Sequence, residues 1–288
     1  MSTTPVFKLA VQKSGRLNED SIKLLLECGL SLDKAGQKLI SPVTNFPLQL
    51  LYLRDDDIPG YVADGVVDAG IVGQNVIAEQ NIQLQVAEKL GFARCRISIA
   101  VPKDHPFEGV QSLQSQRIAT SYPNILKAHF AEHGVTAHVH EISGSVEIAP
   151  GMGLSDAIFD IVSTGSTLIS NGLREVYTIM QSEAVLAVRP GLDADQQAIL
   201  DQLLFRIHAV QRAKRYKYIL LNAPANRLDA IVALLPGMKS PTVLPLYLEG
   251  WVSLHSVIDE ATFWDRIQQL RDAGAEGILV VPIEKMIG

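Results

Sequence analysis

The stretch from Asp156 to Gly172, DAIFDIVSTGSTLISNG, places an acid in an apolar run just before a loop rich in hydroxyl groups. Backbone N–H groups at such a small-residue turn can bind a phosphate, and the side chains of the Ser163–Thr167 loop add donors. The same loop could equally be a Ser/Thr helix cap. A carboxylate close to a phosphate must face hydroxyl groups or a metal, so Asp160 favours a ribose phosphate as ligand, with a solvated acid at the start of the strand as the alternative. The chain has no GxxxxGK[ST] motif, which excludes a P-loop.

Two other loops carry charge directly after strand-like runs. Lys13 and Arg16 follow the first apolar run, and Arg54 ends the run LQLLYLR, directly before three consecutive acids. Arg54 could bind a diphosphate through two hydrogen bonds, and the acids at 55–57 could hold Mg²⁺ through water. A charged surface turn is the alternative, and it applies more strongly to the acids than to Arg54.

Histidines form a second candidate group. His129 and His133 are four residues apart on a predicted helix, and His138 and His140 alternate along a predicted strand. We find no acid or cysteine that completes an HExxH-type signature, so we expect surface histidines rather than a metal site. The spacing also traces no Ser-His-Asp or Cys-His arrangement, so no covalent nucleophile is predicted.

The composition is that of an ordinary soluble globular protein. The 288 residues are 47% hydrophobic with a formal net charge of −6, which predicts two or three domains and argues against nonspecific nucleic-acid or membrane binding. Two cysteines without CxxC spacing indicate a reducing compartment. There is no signal-like segment and no apolar run of about 18 residues, so we expect a cytoplasmic location.

Alternating strand and helix patterns predict an α/β fold with parallel strands. The pattern repeats: QRIATSYPNILKAHFAEHGV resembles the opening βα unit, and a gapless alignment of VADGVVDAGIVG with LSDAIFDIVSTG pairs Asp68 with Asp160. We therefore expect two related lobes joined by the strands RISIAVP and EAVLAV. Ligands bind beyond the carboxyl ends of such strands, which places the charged loops in a cleft between the lobes.

The predicted boundaries follow from this pattern. Lobe I comprises residues 1–101 and 184–213, and lobe II comprises 102–183 with the hydroxyl-rich loop. The tail at 214–288 reads β-α-β-β-α-β, the ferredoxin-like order of small regulatory modules.

Several blocks together resemble the long form of ATP phosphoribosyltransferase, which opens histidine biosynthesis. The resemblance spans nearly the whole chain, in matching order and spacing. Its blocks are QKSGRL (12–17), RDDDIP (54–59), DGVVDAGIVG (64–73), RIATSYP (117–123), GSVEIAP (144–150), DIVSTGST (160–167), SPTVLPL (240–246) and VVPIEKM (280–286).

The resemblance implies a two-lobed catalytic core similar to type II periplasmic binding proteins, followed by an ACT-like regulatory domain. In that family the N1 atom of ATP attacks C1 of phosphoribosyl diphosphate, with Mg²⁺ as cofactor, and histidine is the feedback inhibitor. It also implies a homo-oligomer, a dimer or a hexamer, without a separate regulatory subunit. No phosphoryl group is transferred, which explains why an ATP-using chain lacks a P-loop.

Site residues carried over from the family motifs fall into four groups. Phosphoribosyl diphosphate would be bound by Glu147, Asp160, Ser163, Thr164, Gly165, Ser166 and Thr167. Arg54, helped by Lys13, would act catalytically by stabilising the departing diphosphate, and Asp160 would act by facing the ribose hydroxyls. Arg16, Asp68 and Tyr122 would face ATP. Asn222 and Thr242 would bind histidine. The protein ligands of Mg²⁺ are not assigned, and the ion could be held through the substrate diphosphate.

The rival interpretation of the whole chain is a two-lobed effector-sensing protein without catalysis.

Overall fold

A computed structural model describes residues 6–32, 39–235 and 240–287, and the chain divides into two compact units. The first unit comprises Met1–Leu26 and Leu30–Leu200, and the second comprises Glu27–Gly29 and Asp201–Gly288. None of the helices within the described ranges is long and apolar enough to cross a membrane.

The first unit alternates strands and helices, as the sequence pattern predicts. Its elements are β1 (Phe7–Gln12), α1 (Arg16–Glu27), β2 (Ile40–Pro42), β3 (Leu48–Leu53), α2 (Ile58–Ala63), β4 (Ala69–Gly73), α3 (Gln74–Gln80), β5 (Gln85–Lys89), β6 (Cys95–Pro102), β7 (Arg117–Thr120), α4 (Pro123–His133), β8 (His138–Glu141), β9 (Ala157–Val162), α5 (Ser166–Ser170), β10 (Leu173–Ser182) and β11 (Ala184–Val188). Helix α6 (Ala194–Arg215) runs from the first unit into the second.

Lobe I is built on a six-stranded sheet in the order β2-β3-β1-β4-β11-β5. Strands β3, β1 and β4 are parallel, so their carboxyl ends lie at one edge. Helix α2 packs directly on β4, because a Cβ on Gly70 would meet Ile58 Cγ2 at 2.4 Å. That glycine brings the helix close to the sheet and fixes the short turn before it, which begins just after Arg54.

Lobe II is built on a five-stranded sheet in the order β10-β6-β9-β7-β8. Strand β6 already belongs to this sheet, so the chain crosses from lobe I to lobe II between Lys89 and Cys95. The sequence pattern had predicted this crossing near residue 101. The chain returns to the lobe I sheet between Ser182 and Ala184. One face of the lobe II sheet buries Phe159, and the other packs against elements that carry the hydroxyl-rich loop.

The second unit contains a four-stranded antiparallel sheet in the order β13-β14-β12-β15, packed on two helices. Its elements are β12 (Tyr216–Pro224), α7 (Leu228–Leu234), β13 (Thr242–Pro245), β14 (Trp251–Asp259), α8 (Glu260–Asp272) and β15 (Glu276–Pro282). This is the predicted ferredoxin-like β-α-β-β-α-β order. The predicted end of its first helix at Pro236 and Gly237 lies outside the described residues.

Candidate functional site

The hydroxyl-rich loop joins β9 to α5 at the surface of lobe II. Gly165 has φ of 81°, a left-handed conformation that glycine adopts without strain, and it turns the chain into α5. The Thr164 and Ser166 hydroxyl oxygens lie 3.0 Å apart. Buried Leu168 packs α5 onto the sheet and thereby holds the turn in place.

Two acids share a cavity of about 260 Å³ with this loop. Glu147 comes from a short 3₁₀ turn anchored by buried Val146, and Asp160 projects where β9 emerges from the core. The described lining is Glu147, Asp160, Ile161, Val162, Ser163, Thr164, Gly165, Thr167 and Leu168. The structure therefore brings the predicted phosphoribosyl diphosphate residues together, with Ser166 immediately beside the lined positions.

Burial raises the pKa of the Asp160 carboxyl to about 6, and the negative charge of Glu147 adds to the rise. The Ile161 backbone N–H donates to this carboxyl and opposes the effect. At neutral pH Asp160 is still ionised, at a cost in desolvation. Such a group is a strong acceptor for hydroxyl donors of a ligand.

Arg96 of β6 fixes the start of the loop. Its Nη1 donates to the Ser163 carbonyl oxygen at 3.1 Å, and its Nε and Nη2 donate to the two carboxylate oxygens of Glu175 on β10. The guanidinium of Arg96 is thus fully engaged in contacts within the protein. It therefore positions the loop by tying it to β6 and β10.

Lys13 and Arg54 lie beside one another at the carboxyl edge of the lobe I sheet. Strands β1 and β3 pair in register up to Gln12 and Leu53, and the Lys13 N–H donates to the Leu53 carbonyl at 2.7 Å. Both side chains are exposed, and within the described ranges no acid forms an ion pair with either. Arg16, also exposed, is the first residue of α1 a short way along the same loop. This edge thus presents free positive charge.

Tyr122 lies at the junction of the two lobes. The Asn75 side chain, from α3 of lobe I, donates to the Tyr122 hydroxyl at 3.1 Å and accepts from Ser182 at 2.8 Å. Burial raises the pKa of Tyr122, and the negative charges of Asp160 and Asp55 raise it further. Since these two acids belong to different lobes, Tyr122 lies within electrostatic range of groups from both sides of the cleft.

A second contact joins the lobes at the first turn of α4. The Glu79 carboxylate, at the end of α3, accepts from the backbone N–H groups of Asn124 at 2.9 Å and Ile125 at 3.1 Å. The Asn124 side chain returns a 2.9 Å bond to the Glu79 carbonyl oxygen. A cavity of about 520 Å³ beside this contact is lined by residues of both lobes, among them Asp55 and Tyr122. Nothing in the local sequence of Glu79 predicts this role.

Asp68 does not join the site. It precedes β4 at the amino edge of the sheet, is 5% exposed, and accepts from the Lys8 backbone N–H, from Arg189 and from Gln196. Its carboxylate is thus used to hold β1, β4 and the chain after β11 together. The expectation that Asp68 lines the ATP side of the cleft is corrected by this geometry.

The internal repeat is structural, but its register differs from the gapless alignment. Asp156 precedes β9 and accepts from the Arg117 backbone N–H at 2.9 Å, as Asp68 precedes β4 and accepts from Lys8 at 2.8 Å. Asp68 therefore corresponds to Asp156, four residues before Asp160. In this register Asp160 has no acidic counterpart in lobe I, so the site acid is particular to lobe II.

The two residues assigned to histidine binding lie on the face of the second unit's sheet opposite its helices. Asn222 of β12 pairs with Ser253, and Thr242 of β13 pairs with His255. The intervening strand β14 separates them. His255 sits between them, hydrogen-bonded at 3.1 Å to both Tyr218 and Ser253, which the sequence did not indicate.

The fold and the site together indicate the class of protein. Two α/β lobes face a cleft, a hydroxyl-rich loop with two acids lies on one side, and free basic side chains lie on the other. These features define a two-lobed α/β protein with a cleft lined by polar and charged side chains, and the expected two-lobed core and ferredoxin-like tail are both confirmed.

Comparison with known proteins gives the family. The family model for HisG, ATP phosphoribosyltransferase, matches residues 54–209, and that for the HisG C-terminal domain matches residues 213–285. The ATP phosphoribosyltransferase of Cytophaga hutchinsonii is 58% identical over 287 residues, which is 100% of both chains. The chain belongs to the ATP phosphoribosyltransferase family, and it is accordingly a transferase of the glycosyltransferase type.

Solved structures agree with this assignment. A chain of the ATP phosphoribosyl transferase (HisG:HisZ) complex from Thermotoga maritima is 28% identical with a TM-score of 0.61, over 70% of this chain and 99% of that chain. The structure of Tv2483 bound to L-arginine has a TM-score of 0.50 at 12% identity, covering 73% and 87%. That second likeness concerns the two-lobed fold alone.

Proposed function

We propose that this protein transfers the phosphoribosyl group of phosphoribosyl diphosphate to N1 of the adenine ring of ATP, releasing diphosphate. The observation that carries the proposal is the cavity in which Glu147 and Asp160 meet the Ser163–Thr167 loop. A loop of hydroxyl and N–H donors suits the 5-phosphate, and paired acids suit the ribose hydroxyls.

Each lobe has its own task in this reaction. The loop of lobe II holds the sugar phosphate, while ionised Asp160 accepts hydrogen bonds from the ribose and so fixes C1. Lys13 and Arg54 of lobe I neutralise the charge that develops on the departing diphosphate, which is the main barrier in such a transfer. Arg16 and Tyr122 are assigned to the ATP side, and adenine N1 needs no general base because it carries a lone pair.

The residues around the cleft also suit a magnesium ion. Glu147, Asp160 and Asp55 offer carboxylate oxygens, the donors that Mg²⁺ prefers, and Asp55 Oδ1 is shielded from solvent without a hydrogen-bond partner among the described residues. Burial raises the pKa of Asp55 to about 6, with Asp56 adding to the rise. A bound Mg²⁺, together with the substrate diphosphate, would supply positive charge to the leaving group.

The second unit is proposed to confer feedback inhibition by histidine, through Asn222 and Thr242, in a homo-oligomer without a separate regulatory subunit. Histidine would act by favouring one of two assemblies. The rival function, ligand sensing without turnover, rests only on the two-lobed fold that binding proteins share.

The decisive experiment is diphosphate release from the purified chain with ATP, phosphoribosyl diphosphate and Mg²⁺. We expect turnover, and we expect none when 1-deaza-ATP, which has carbon in place of N1, replaces ATP. Arg54→Ala should lower the rate strongly, whereas Arg271→Ala, which removes the same charge from exposed α8, should not. A folded chain that binds phosphoribosyl diphosphate without releasing diphosphate would support the rival function instead.

The regulatory proposal is tested by adding histidine to the same assay. Inhibition should be present in the natural chain and weakened by Asn222→Ala or Thr242→Ala. Uninhibited turnover at all histidine concentrations would remove the regulatory role while leaving the transfer reaction standing.

A further inference from the structure

Helix α4 carries three metal-binding side chains on one face. His129, Glu132 and His133 stand at positions i, i+3 and i+4, which are neighbours on a helix surface. One ligand atom from each lies within 4.8 Å of the others, and the two imidazole rings are 4.2 Å apart between centroids. The sequence HFAEH has the H-x-x-E-H order, so an acid does accompany the histidine pair, contrary to the sequence-based expectation.

The two imidazole rings each have a nitrogen that is available to bind a metal ion. His133 Nδ1 lies 2.9 Å from the His129 carbonyl oxygen, an acceptor, so Nδ1 carries the proton and Nε2 keeps its lone pair. A backbone carbonyl that fixes the tautomer in this way is the usual outer partner of a metal-bound histidine. His129 Nε2 is shielded from solvent and has no hydrogen-bond partner among the described residues.

The chemistry of these three side chains indicates which metal ion would bind. Two imidazoles and one carboxylate suit Zn²⁺ and its neighbours Co²⁺, Ni²⁺ and Cu²⁺, whereas Mg²⁺ prefers oxygen donors alone. His129 and Glu132 line a cavity of about 690 Å³ together with Ile179 and Met180 of β10. This lining shares no residue with the lining of the Glu147–Asp160 cavity.

The geometry points to a binding site for one divalent transition-metal ion, held by His129, Glu132 and His133 and separate from the phosphoribosyl site. Three protein ligands leave a fourth position for water or another donor. A metal there bridges two successive turns of α4, the helix whose amino end contacts Glu79 of lobe I.

The test is equilibrium dialysis of the metal-stripped full chain against Zn²⁺, with bound zinc measured by elemental analysis. We expect one zinc per chain, retained in excess Mg²⁺, and a visible absorption spectrum when Co²⁺ replaces Zn²⁺. His129→Ala with His133→Ala should abolish this binding. The matched control, His138→Ala with His140→Ala on β8, removes two histidines of the same lobe and should leave it intact.

A conservative variant guards against loss of fold. Glu132 is exposed, so Glu132→Gln should fold normally, as judged by circular dichroism, and should weaken zinc binding by about 10-fold or more. Substoichiometric zinc in the natural chain would overturn the proposal. So would full zinc binding by the His129/His133 variant, or an unchanged affinity in Glu132→Gln.

Discussion

Replacing Asp160 by Asn is expected to make the protein more stable and less active. The carboxyl lies in the loop cavity, where burial raises its pKa from 3.8 to about 6, with Glu147 contributing. That rise corresponds to about 3 kcal/mol, at about 1.4 kcal/mol for each tenfold change in proton affinity. Because the folded pKa exceeds the unfolded pKa, the folded state binds the proton more tightly, and the resulting stability is lost as pH rises through about 6.

The neutral amide removes this cost. At pH 8 we expect Asp160→Asn to gain about 2 kcal/mol, since water at the cavity rim relieves part of the full penalty. That corresponds to a melting temperature about 4–8 °C higher. The gain should shrink to a small remainder near pH 4, where the natural carboxyl is protonated in the folded state and about half protonated in the unfolded state. Thermal unfolding followed by circular dichroism at the two pH values measures the difference.

Asp156→Asn, at the residue just before the same strand, is the matched control. Hydrogen bonds from Arg117 lower the pKa of Asp156, so the folded state prefers the ionised carboxylate. Its neutralisation should therefore destabilise the protein at pH 8, the opposite sign to Asp160→Asn. A destabilised Asp160→Asn at pH 8, or a difference that does not change with pH, would refute the desolvation reasoning.

The activity of Asp160→Asn tests the assigned role separately. Loss of a hydrogen bond to a charged acceptor costs about 1.5–3 kcal/mol, so kcat/KM for phosphoribosyl diphosphate should fall by about 10- to 100-fold. A fully active Asp160→Asn would exclude the ribose contact without affecting the stability argument.

Two further predictions concern contacts away from the loop. Glu79→Ala leaves the Asn124 and Ile125 N–H groups without their interlobe acceptor, which costs about 1–2 kcal/mol of interlobe contact. The open cleft should then be favoured, so KM should rise several-fold and the radius of gyration measured by X-ray scattering should increase. An unchanged radius and KM would contradict it. Asp68→Asn should destabilise the protein by about 2 kcal/mol in urea unfolding, because partly buried donors such as the Arg189 guanidinium lose a charged acceptor. Unaltered stability would show that this cluster contributes little.

The parts of the fold that local patterns encode could be predicted, and β10 shows where such patterns fail. Strand β9 was predicted because its apolar run is nearly continuous, as expected for a strand covered on both faces. Strand β10, LREVYTIMQS, is an edge strand with charged Arg174 and Glu175, so neither strict alternation nor an apolar run marks it. The lobe boundary was misplaced for a similar reason, because β6 belongs to lobe II through its pairing with β9 and β10.

The candidate site shows the same division between local and distant information. The Ser163–Thr167 loop and Asp160 are adjacent in sequence and could be found together. Arg96 lies 67 residues from Ser163 and 79 from Glu175, so their pairing has no local trace. The gapless alignment of the two lobes was wrong for a related reason. Asp68 and Asp156 are equivalent because each accepts a hydrogen bond from a neighbouring strand's backbone, and only the structure reveals that equivalence.

The contacts of Arg96 link the hydroxyl-rich loop to the strands by which the chain crosses between the lobes. Its strand, β6, is the one by which the chain enters lobe II, and Glu175 lies on β10, by which the chain leaves it. The Ser163 carbonyl is therefore held by a guanidinium anchored on both crossing strands. Because both crossing strands belong to the lobe II sheet, this contact ties the hydroxyl-rich loop to the part of lobe II from which the chain passes to lobe I. Under the proposed function, this anchor would hold the loop in place for the sugar phosphate, and Lys13 and Arg54 would approach the ligand from lobe I.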